Sequence, residues 1–402
     1  MDEQPPASDD SPFALMDGEM AANPQPMFKM LRDTMPVLSV DGMGVVLSRK
    51  SEIDEVFRRP EIFSSNADAV DLKNRRPMIP LQIDPPDHKK YRKLLDPIFA
   101  PRQMALIEDS VAQTVNALID GFIDKGKIDF ATEFSVPFPS QVFLTLFGLP
   151  FEELPRFLKM KDGVIRPNLV IGQPSDSEAT LAYQQETADS IYDYFNEILD
   201  KRELKRENDI LSRFLDAEVE GEKLTREDIL DICFLFLIAG LDTVTATLDC
   251  FFAYLAAHPD QRQLILDDPS IIPSAVEELL RWETPVMGVV RVAMEDIEMA
   301  GCPIHKGDNV MVMIGSVNTD ESELPDADEV RFDREVNRHV AFGGGVHRCL
   351  GSHLARQELR VAVREWHRRI PNYAVADGHT LVFTPGIRSV DYFPMVISPA
   401  GA

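Results

Sequence analysis

The sequence predicts a mainly α-helical protein with small β-sheets at its rim. Three observations carry that expectation. Apolar residues recur at helical spacing through most of the chain. One segment, from Thr225 to Ala257, reads as a single long helix. The clear alternating runs are short and lie beside glycines.

Taken in order, Val37 to Arg59 alternates around Gly42 and Gly44 and turns helical after Ser51, which predicts a strand pair and a helix. Pro85 and Pro86 break the chain, and a helix starts near Asp87. Pro101 stops it, and another helix runs from Arg102 to Asp124. Helical patterns follow at Ser140–Phe147, Glu152–Asp162 and Glu178–Glu203. The stretch from Arg166 to Ser177, with Pro167, Gly172 and Pro174, reads as a mobile loop. Thr225 and Asp228 form a capping pair for the long helix, which His258 and Pro259 end. At roughly 30 residues it spans about 45 Å. Its middle, Ile232 to Leu241, is apolar on all sides, the mark of a helix buried from every direction. Its uncharged run, bounded by Asp231 and Asp242, is too short to cross a bilayer. Helices recur near Gln261 and over Ile272–Trp282. Ile297–Ala300 and Pro303–Ile304 read as a hairpin turning at Gly301. An acidic irregular stretch, Asp320 to Asp333, leads to a glycine-rich loop and a last helix over Leu350–Arg369.

No linker and no internal repeat divides the 402 residues, so residues 21–402 read as a single domain. The first twenty residues carry six acidic side chains and no basic one. Residues 1–20 are expected to be a flexible acidic segment, neither signal peptide nor membrane anchor. A net charge of −26 argues against nucleic acid or an anionic membrane as partner. The four cysteines, Cys233, Cys250, Cys302 and Cys349, form no C-x-x-C pair. That disfavours a zinc or iron–sulfur site and suits a reducing cytoplasm.

The most informative run is Phe342 to Gly351, FGGGVHRCLG. It sets Cys349 between a glycine-rich loop and a helix. Glycines let backbone approach a flat, bulky group, and the helix start directs N–H groups at the sulfur, which favours thiolate. Read on its own, the same run also describes a glycine-rich turn with an inert buried cysteine. The run resembles the haem-binding loop of the cytochrome P-450 family, with Phe342, Gly343, Gly345, His347, Cys349 and Gly351 matching. The resemblance extends from about Pro36 to Pro394. It implies the cytochrome P-450 fold, with haem b (iron protoporphyrin IX) between the long helix and the cysteine loop and Cys349 thiolate as its axial ligand.

Other motifs fall in the family's order. Ala239-Gly240-Leu241-Asp242-Thr243 resembles the oxygen-activating motif. Gly240 leaves room for a small ligand, and Asp242 and Thr243 are the implied proton-delivering pair. The competing reading is a threonine that bonds back to the carbonyl four residues earlier. Glu278 and Arg281, three apart on a helix, can pair. The resemblance makes that pair buried and structural, locking the cysteine loop, with Arg331 as third member and Arg338 as its rival. His88, Arg92, Arg291 and His347 match positions that contact haem propionates, so the implied cofactor-binding set is His88, Arg92, Arg291, Phe342, Gly345, His347, Cys349 and Gly351. Arg348, Arg356, Arg360, Arg364 and Arg368 make a basic stripe, with Lys89, Lys90 and Lys93 nearby. It is either a solvated face with Glu358 and Glu365 as local partners, or a docking patch for an acidic electron donor.

The resemblance implies a haem-thiolate monooxygenase that inserts one oxygen atom of O2 into a lipophilic small molecule of terpenoid, steroid or fatty acyl type. Electrons would come from a separate ferredoxin and an NAD(P)H-dependent ferredoxin reductase. The pocket residues it implies are Met78, Ile79 and Leu81; Ile165, Leu169 and Val170; Leu237 and Ala239; and Val286, Met287, Val289 and Ile387. Arg166 is either a substrate-carboxylate contact or a surface arginine. Two other readings remain open from sequence: a peroxide-driven peroxygenase of the same fold, and a non-catalytic haem-based ligand sensor or carrier.

Overall fold

Two hydrophobic cores meet on one helix. That helix spans Arg226–Ala257, 32 residues. Its start is closed by a capping box: Asp228 N–H donates to Thr225 Oγ1 at 3.1 Å, and Thr225 N–H donates to Asp228 Oδ2 at 2.8 Å. The first half, Ile229 to Leu241, packs with Leu144, Phe157, Phe195 and Phe214; the second half, Val244 to Leu255, packs with Phe130, Phe134, Leu279 and Trp366. The computed structural model describes residues 18–40, 44–66 and 71–401. The acidic segment 1–20 therefore lies almost wholly outside the described residues, as does Gly42.

By length and mean hydropathy the long helix would qualify as a membrane span, although its uncharged middle is only the short run between Asp231 and Asp242. Its apolar residues instead bury themselves in the two cores, the arrangement of a central helix in a large fold.

Helices dominate, and the sheets are small. A five-stranded sheet runs in the order Val37–Val40, Gly44–Leu47, Asn309–Val312, Val289–Ala293, Phe63–Ser64. Asn309–Val312 pairs parallel to Gly44–Leu47 and antiparallel to Val289–Ala293. Gly44 has φ +100°, and a Cβ there would lie 2.1 Å from the Asn309 carbonyl oxygen; glycine is what lets this chain crossing close. A three-stranded sheet joins Asn372–Val375, Pro394–Ser398 and Lys127–Asp129. The hairpin Ile297–Met299 with Cys302–Ile304 turns at Ala300 and Gly301, both at positive φ.

Several boundaries move. The helix expected over Arg102–Asp124 is three pieces, Pro101–Met104, a short 3-10 turn and Glu108–Phe122. Pro101 opens the first of them rather than stopping the preceding helix, which already ends at Leu95. The stretch after Arg166 holds a short helix, Pro167–Ile171, closed by Gly172 at φ +66°. The last helix begins at Ser352.

Candidate active site

The long helix is buried along most of its length, yet Ala239 and Gly240 are exposed and Thr243 half-buried at its centre. A Cβ on Gly240 would meet only the Phe143 ring, at 3.6 Å, an ordinary contact. The helix therefore opens to a cleft on one side. Thr243 Oγ1 donates to the Ala239 carbonyl at 2.8 Å, the back-bond foreseen as the competing reading. That bond uses the hydroxyl hydrogen and leaves the oxygen's lone pairs free to accept.

Asp242 is 8 % exposed, so its carboxylate needs a partner. Lys161, itself 4 % exposed, supplies it: Nζ lies 2.6 Å from Asp242 Oδ1 and 3.1 Å from Asp162 Oδ1. Arg166 Nη2 is 3.8 Å from the same Asp242 oxygen, and its Nη1 is 2.7 Å from Asp391 Oδ1. Arg166 is thus part of an ion network, not a loose surface arginine. Lys161 was missed from sequence. Its only signal there is a basic residue amid the apolar face of Leu154–Ile165.

The cysteine loop is built from its own backbone. Cys349 N–H donates to Phe342 O at 2.9 Å, and Gly343 N–H to Val340 O at 2.8 Å. Gly343 and Gly345 have φ +69° and +63°. Cβ atoms at Gly344 and Gly345 would strike the Phe57 ring and the Phe57 carbonyl, at 2.6 and 2.2 Å. The glycines at 344 and 345 thus admit Phe57 on one side of the loop. Cys349 is exposed, yet the surrounding protein is deep enough that burial pushes the thiol up. The Gly351 N–H and Arg92, Arg356 and Arg348 pull the other way without prevailing. The expectation that loop and helix alone favour thiolate is corrected: burial outweighs the helix start, and a cation at the sulfur would be required.

Around this cysteine, basic groups outnumber the carboxylates that face them among the described residues. The His88 and His347 rings lie 4.3 Å apart, and Nε2 of each is buried without a hydrogen-bond partner. Burial, then each other and the neighbouring arginines, push His347 down to about 3. Arg291 is 9 % exposed; burial brings it down to about 10, and its guanidinium donates to the adjacent Val290 carbonyl at 2.8 Å. The nearest carboxylate to His347 is Asp84, at 3.8 Å. Arg92 is tied to Asp96 and to the Arg348 carbonyl, at 2.7 and 2.6 Å. Buried donors left this way cost free energy, which an anionic ligand would recover. The two carboxylates of a porphyrin, with Cys349 two residues beyond His347, match this donor set.

Behind the loop, Glu278 and Arg281 are both about fully buried, 0 % and 1 % exposed. Arg281 Nε and Nη2 donate to the two Glu278 oxygens at 2.8 Å each. The third cation is Arg334, whose Nε donates to Glu278 Oε1 at 2.9 Å. This corrects the assignment to Arg331. Only the Arg331 backbone N–H reaches Glu278, at 2.8 Å, while its guanidinium turns to Asp326 and Asp333. The rival Arg338 is exposed.

The basic stripe is largely neutralised within the chain. Glu277 accepts from Arg356 Nε at 2.7 Å, from Arg360 Nη2 at 3.1 Å, and pairs with His339 at 3.1 Å. Burial alone would raise the Glu277 carboxyl, but His339 and Arg356 hold it far below the carboxylate range. Arg364 pairs with Glu108 and Glu365, and Arg368 with Glu365. Lys90 and Lys93 pair with Glu222 and Glu220. Glu358 is no local partner: it is buried, and burial raises its carboxyl. Arg348 and Lys89 remain exposed.

The apolar residues expected at the pocket divide. Val286 and Ile387 form an isolated antiparallel bridge, and with Val289 and Ile165 they are half-buried. Leu81, Leu169 and Val170 are exposed, whereas Met78 and Ile79, just before Leu81 in the chain, are buried. Leu237 is wholly within the first core. Met287 is corrected: it is fully buried against Phe28, Val46, Met311 and Met313, on the sheet side.

The family model described as Cytochrome P450 matches residues 15–266 and 270–366. A curated relative, a probable cytochrome P450 127A1 of Sinorhizobium fredii, is 35 % identical over 343 residues, covering 84 % of this chain and 80 % of its own. A steroid C26-monooxygenase of Mycolicibacterium smegmatis is 31 % identical over 379 residues, 93 % of this chain and 92 % of its own. Among solved structures, CYP109E1 from Bacillus megaterium in complex with testosterone superimposes with a TM-score of 0.82 at 27 % identity, covering 93 % of this chain and 99 % of that one.

Proposed function

The chain belongs to the cytochrome P450 family of haem-thiolate monooxygenases, and from that premise we propose that Cys349 is its axial ligand and a lipophilic small molecule its substrate. The observation that carries the assignment is the exposed Cys349 near a basic cluster in which His88 and His347 each bury Nε2 without a hydrogen-bond partner among the described residues and the Arg291 guanidinium meets only a backbone carbonyl. His88, Arg92, Arg291 and His347 would hold the haem propionates, and Phe342, Gly345 and Gly351 shape the loop. When bound, haem supplies the oxidising chemistry that activates O2.

The chain's own residues then orient, exclude water and move protons. Thr243 presents free lone pairs to the cleft, since its hydrogen is committed to Ala239. A proton reaching that hydroxyl comes by way of Asp242. That carboxylate is clamped by Lys161 and lies 3.8 Å from Arg166, whose other arm meets the exposed Asp391. Delivery thus requires Asp242 to leave Lys161 and turn to the cleft. Val286, Val289, Ile387 and Ile165 give the cleft apolar walls that exclude water. The Glu278–Arg281–Arg334 cluster fixes the loop that holds Cys349.

A steroid C26-monooxygenase among the relatives and a similar structure in complex with testosterone favour the steroid member of the terpenoid, steroid and fatty acyl range. A separate ferredoxin and its NAD(P)H-dependent reductase supply the electrons. Four cysteines without a disulfide suit a cytoplasmic location.

The test is the absorption spectrum of the reduced, carbon-monoxide-treated holoprotein. Thiolate ligation gives the red-shifted Soret band that names the family. Cys349→His is expected to abolish that band while haem is retained. The same band persisting in the variant would remove Cys349 from the site.

A further inference from the structure

Val286 and Ile387 come from segments far apart in the chain, and one guanidinium ties the two together. Arg388 is 2 % exposed. Its Nη1 donates to Glu283 Oε2 at 2.8 Å and to the Glu283 carbonyl at 2.6 Å. Its Nε donates to the Ala21 carbonyl at 2.6 Å. Its backbone N–H donates to Pro285 O at 2.9 Å. Its carbonyl accepts from Cys250 Sγ at 3.2 Å. Glu283 lies three residues before Val286 and Pro285 one, and Arg388 immediately follows Ile387. The links on both sides of the Val286–Ile387 bridge therefore converge on Arg388.

The turn bearing Ile387 is stiff in itself. Phe383 bridges Val390, Thr384 Oγ1 donates to the Ile387 carbonyl at 2.6 Å, and Ser389 N–H donates to Thr384 Oγ1 at 3.1 Å. A second anchor seats the turn on the long helix. Val390 N–H donates to Asp249 Oδ2 at 3.0 Å, and Ser135 Oγ donates to the other Asp249 oxygen at 2.5 Å.

A buried ion pair is an expensive way to hold two apolar residues together, because apolar neighbours of like volume stabilise at least as well. What the pair supplies is direction. Arg388 offers a planar fork that reaches side chain and backbone at once, fixing distance and angle where packing alone would leave slack. We propose that Arg388, held by Glu283, is a positioning residue that sets the gap between Val286 and Ile387 and so the width of ligand the cleft admits. This rests on the reading that those two residues line the substrate site.

The test uses holoprotein and two iron-ligating probes of different width, imidazole and 1-tritylimidazole, with dissociation constants read from the spectral shift. Ile387→Ala, at the wall itself, is expected to change the ratio of the two constants at least fivefold. An unchanged ratio there would overturn the reading that Ile387 lines the site. Arg388→Lys is expected to change the ratio similarly, with the carbon-monoxide spectrum unaltered. A ratio within twofold of wild type, alongside a lower Tm, would leave Arg388 a purely structural residue and overturn the proposal. Should Arg388→Lys fail to fold, Thr384→Val loosens the same turn at the Ile387 carbonyl, and a wild-type ratio in that variant overturns the proposal equally.

Discussion

Lys161 Nζ stands 2.6 Å from Asp242 Oδ1, with both side chains almost out of water, 5 % and 11 % exposed. The two residues lie 81 positions apart, on the helices Leu154–Ile165 and Arg226–Ala257. A buried carboxylate so paired is stable where it is and slow to leave. Lys161→Met strips that clamp and leaves Arg166 as the remaining cation. Breaking a buried pair costs about 3–5 kcal/mol, a cost Arg166 offsets only in part at 3.8 Å. The variant is expected to melt lower and to show a solvent isotope effect on turnover different from wild type. Wild-type melting together with an unchanged isotope effect would detach Lys161 from proton delivery.

Thr243 sits one residue further along, its hydrogen already given to Ala239. Thr243→Ala removes the accepting lone pairs without leaving a buried group unpaired, because Ala239 is exposed. Haem content and Tm are expected to stay at wild-type values while more of the NADPH consumed, with a surrogate ferredoxin and reductase, appears as hydrogen peroxide. An equal product yield per NADPH would show that the hydroxyl relays nothing.

Arg334 and Arg331 offer a paired comparison at the lock behind the cysteine loop. Arg334 is 7 % exposed at its side chain and bonded to Glu278; Arg331 is 42 % exposed and bonded to surface carboxylates. Arg334→Ala is expected to lower stability by roughly 2–4 kcal/mol, since Glu278 retains Arg281 but loses one charged donor. Arg331→Ala is expected to cost under about 1 kcal/mol, because exposed pairs contribute little and its backbone bond to Glu278 survives. Denaturant melts of both holoproteins decide it, and equal losses would contradict the geometry.

That pair also shows where the sequence stops being legible. Spacing speaks clearly within a helix: Glu278 with Arg281, and Thr225 with Asp228, are three apart and meet as periodicity requires. The stretch from Asp320 to Arg338 has no period, so nothing singled out Arg334 from Arg331 and Arg338. Glu277, which neutralises Arg356 and Arg360, lies on another helix, and helical spacing along Ser352–Arg369 reveals the stripe but not what faces it. Met287 was misplaced because its run was read as one uniformly pocket-facing segment, whereas it packs behind Gly288 against Met311 and Met313. The mainly α fold and its hairpins were readable from period and turn residues. The strands Val289–Ala293 and Asn309–Val312 were not, because their pairing is made across the chain.

Charge reversal separates binding from architecture on the basic face. Arg348 is exposed, while Arg356 is 15 % exposed and bonded to Glu277. Arg348→Glu is expected to slow reduction by a ferredoxin at low salt and to flatten the dependence of that rate on ionic strength, at unchanged Tm. Arg356→Glu sets a carboxylate against Glu277 and is expected to lower Tm. An unchanged salt dependence at Arg348 would reduce the exposed part of the stripe to a solvated face.

Asp249 makes a pH prediction whose sign can be worked out. It is fully buried, and burial first, then Asp391 and Asp129, raise its carboxyl to about 7, against the pull of Ser135 and the Val390 N–H. The folded chain therefore holds a proton between about pH 4 and 7 that the unfolded chain has released. Its contribution falls as pH rises through that window and is flat above it, a loss of roughly 4 kcal/mol at most. His367 works in the opposite sense. Burial brings it down to about 4, so the stability tied to its neutral form is lost as pH falls below about 6.5. Comparing Asp249→Asn with wild type isolates the carboxyl, because His367 is common to both. Asn can accept from Val390 N–H and donate to Ser135 Oγ, so the seat of the turn is kept. The variant is expected to be the more stable protein at pH 8, with the difference shrinking steadily towards pH 4.5. A difference that does not vary with pH in denaturant melts would mean Asp249 is ionised in the folded chain throughout.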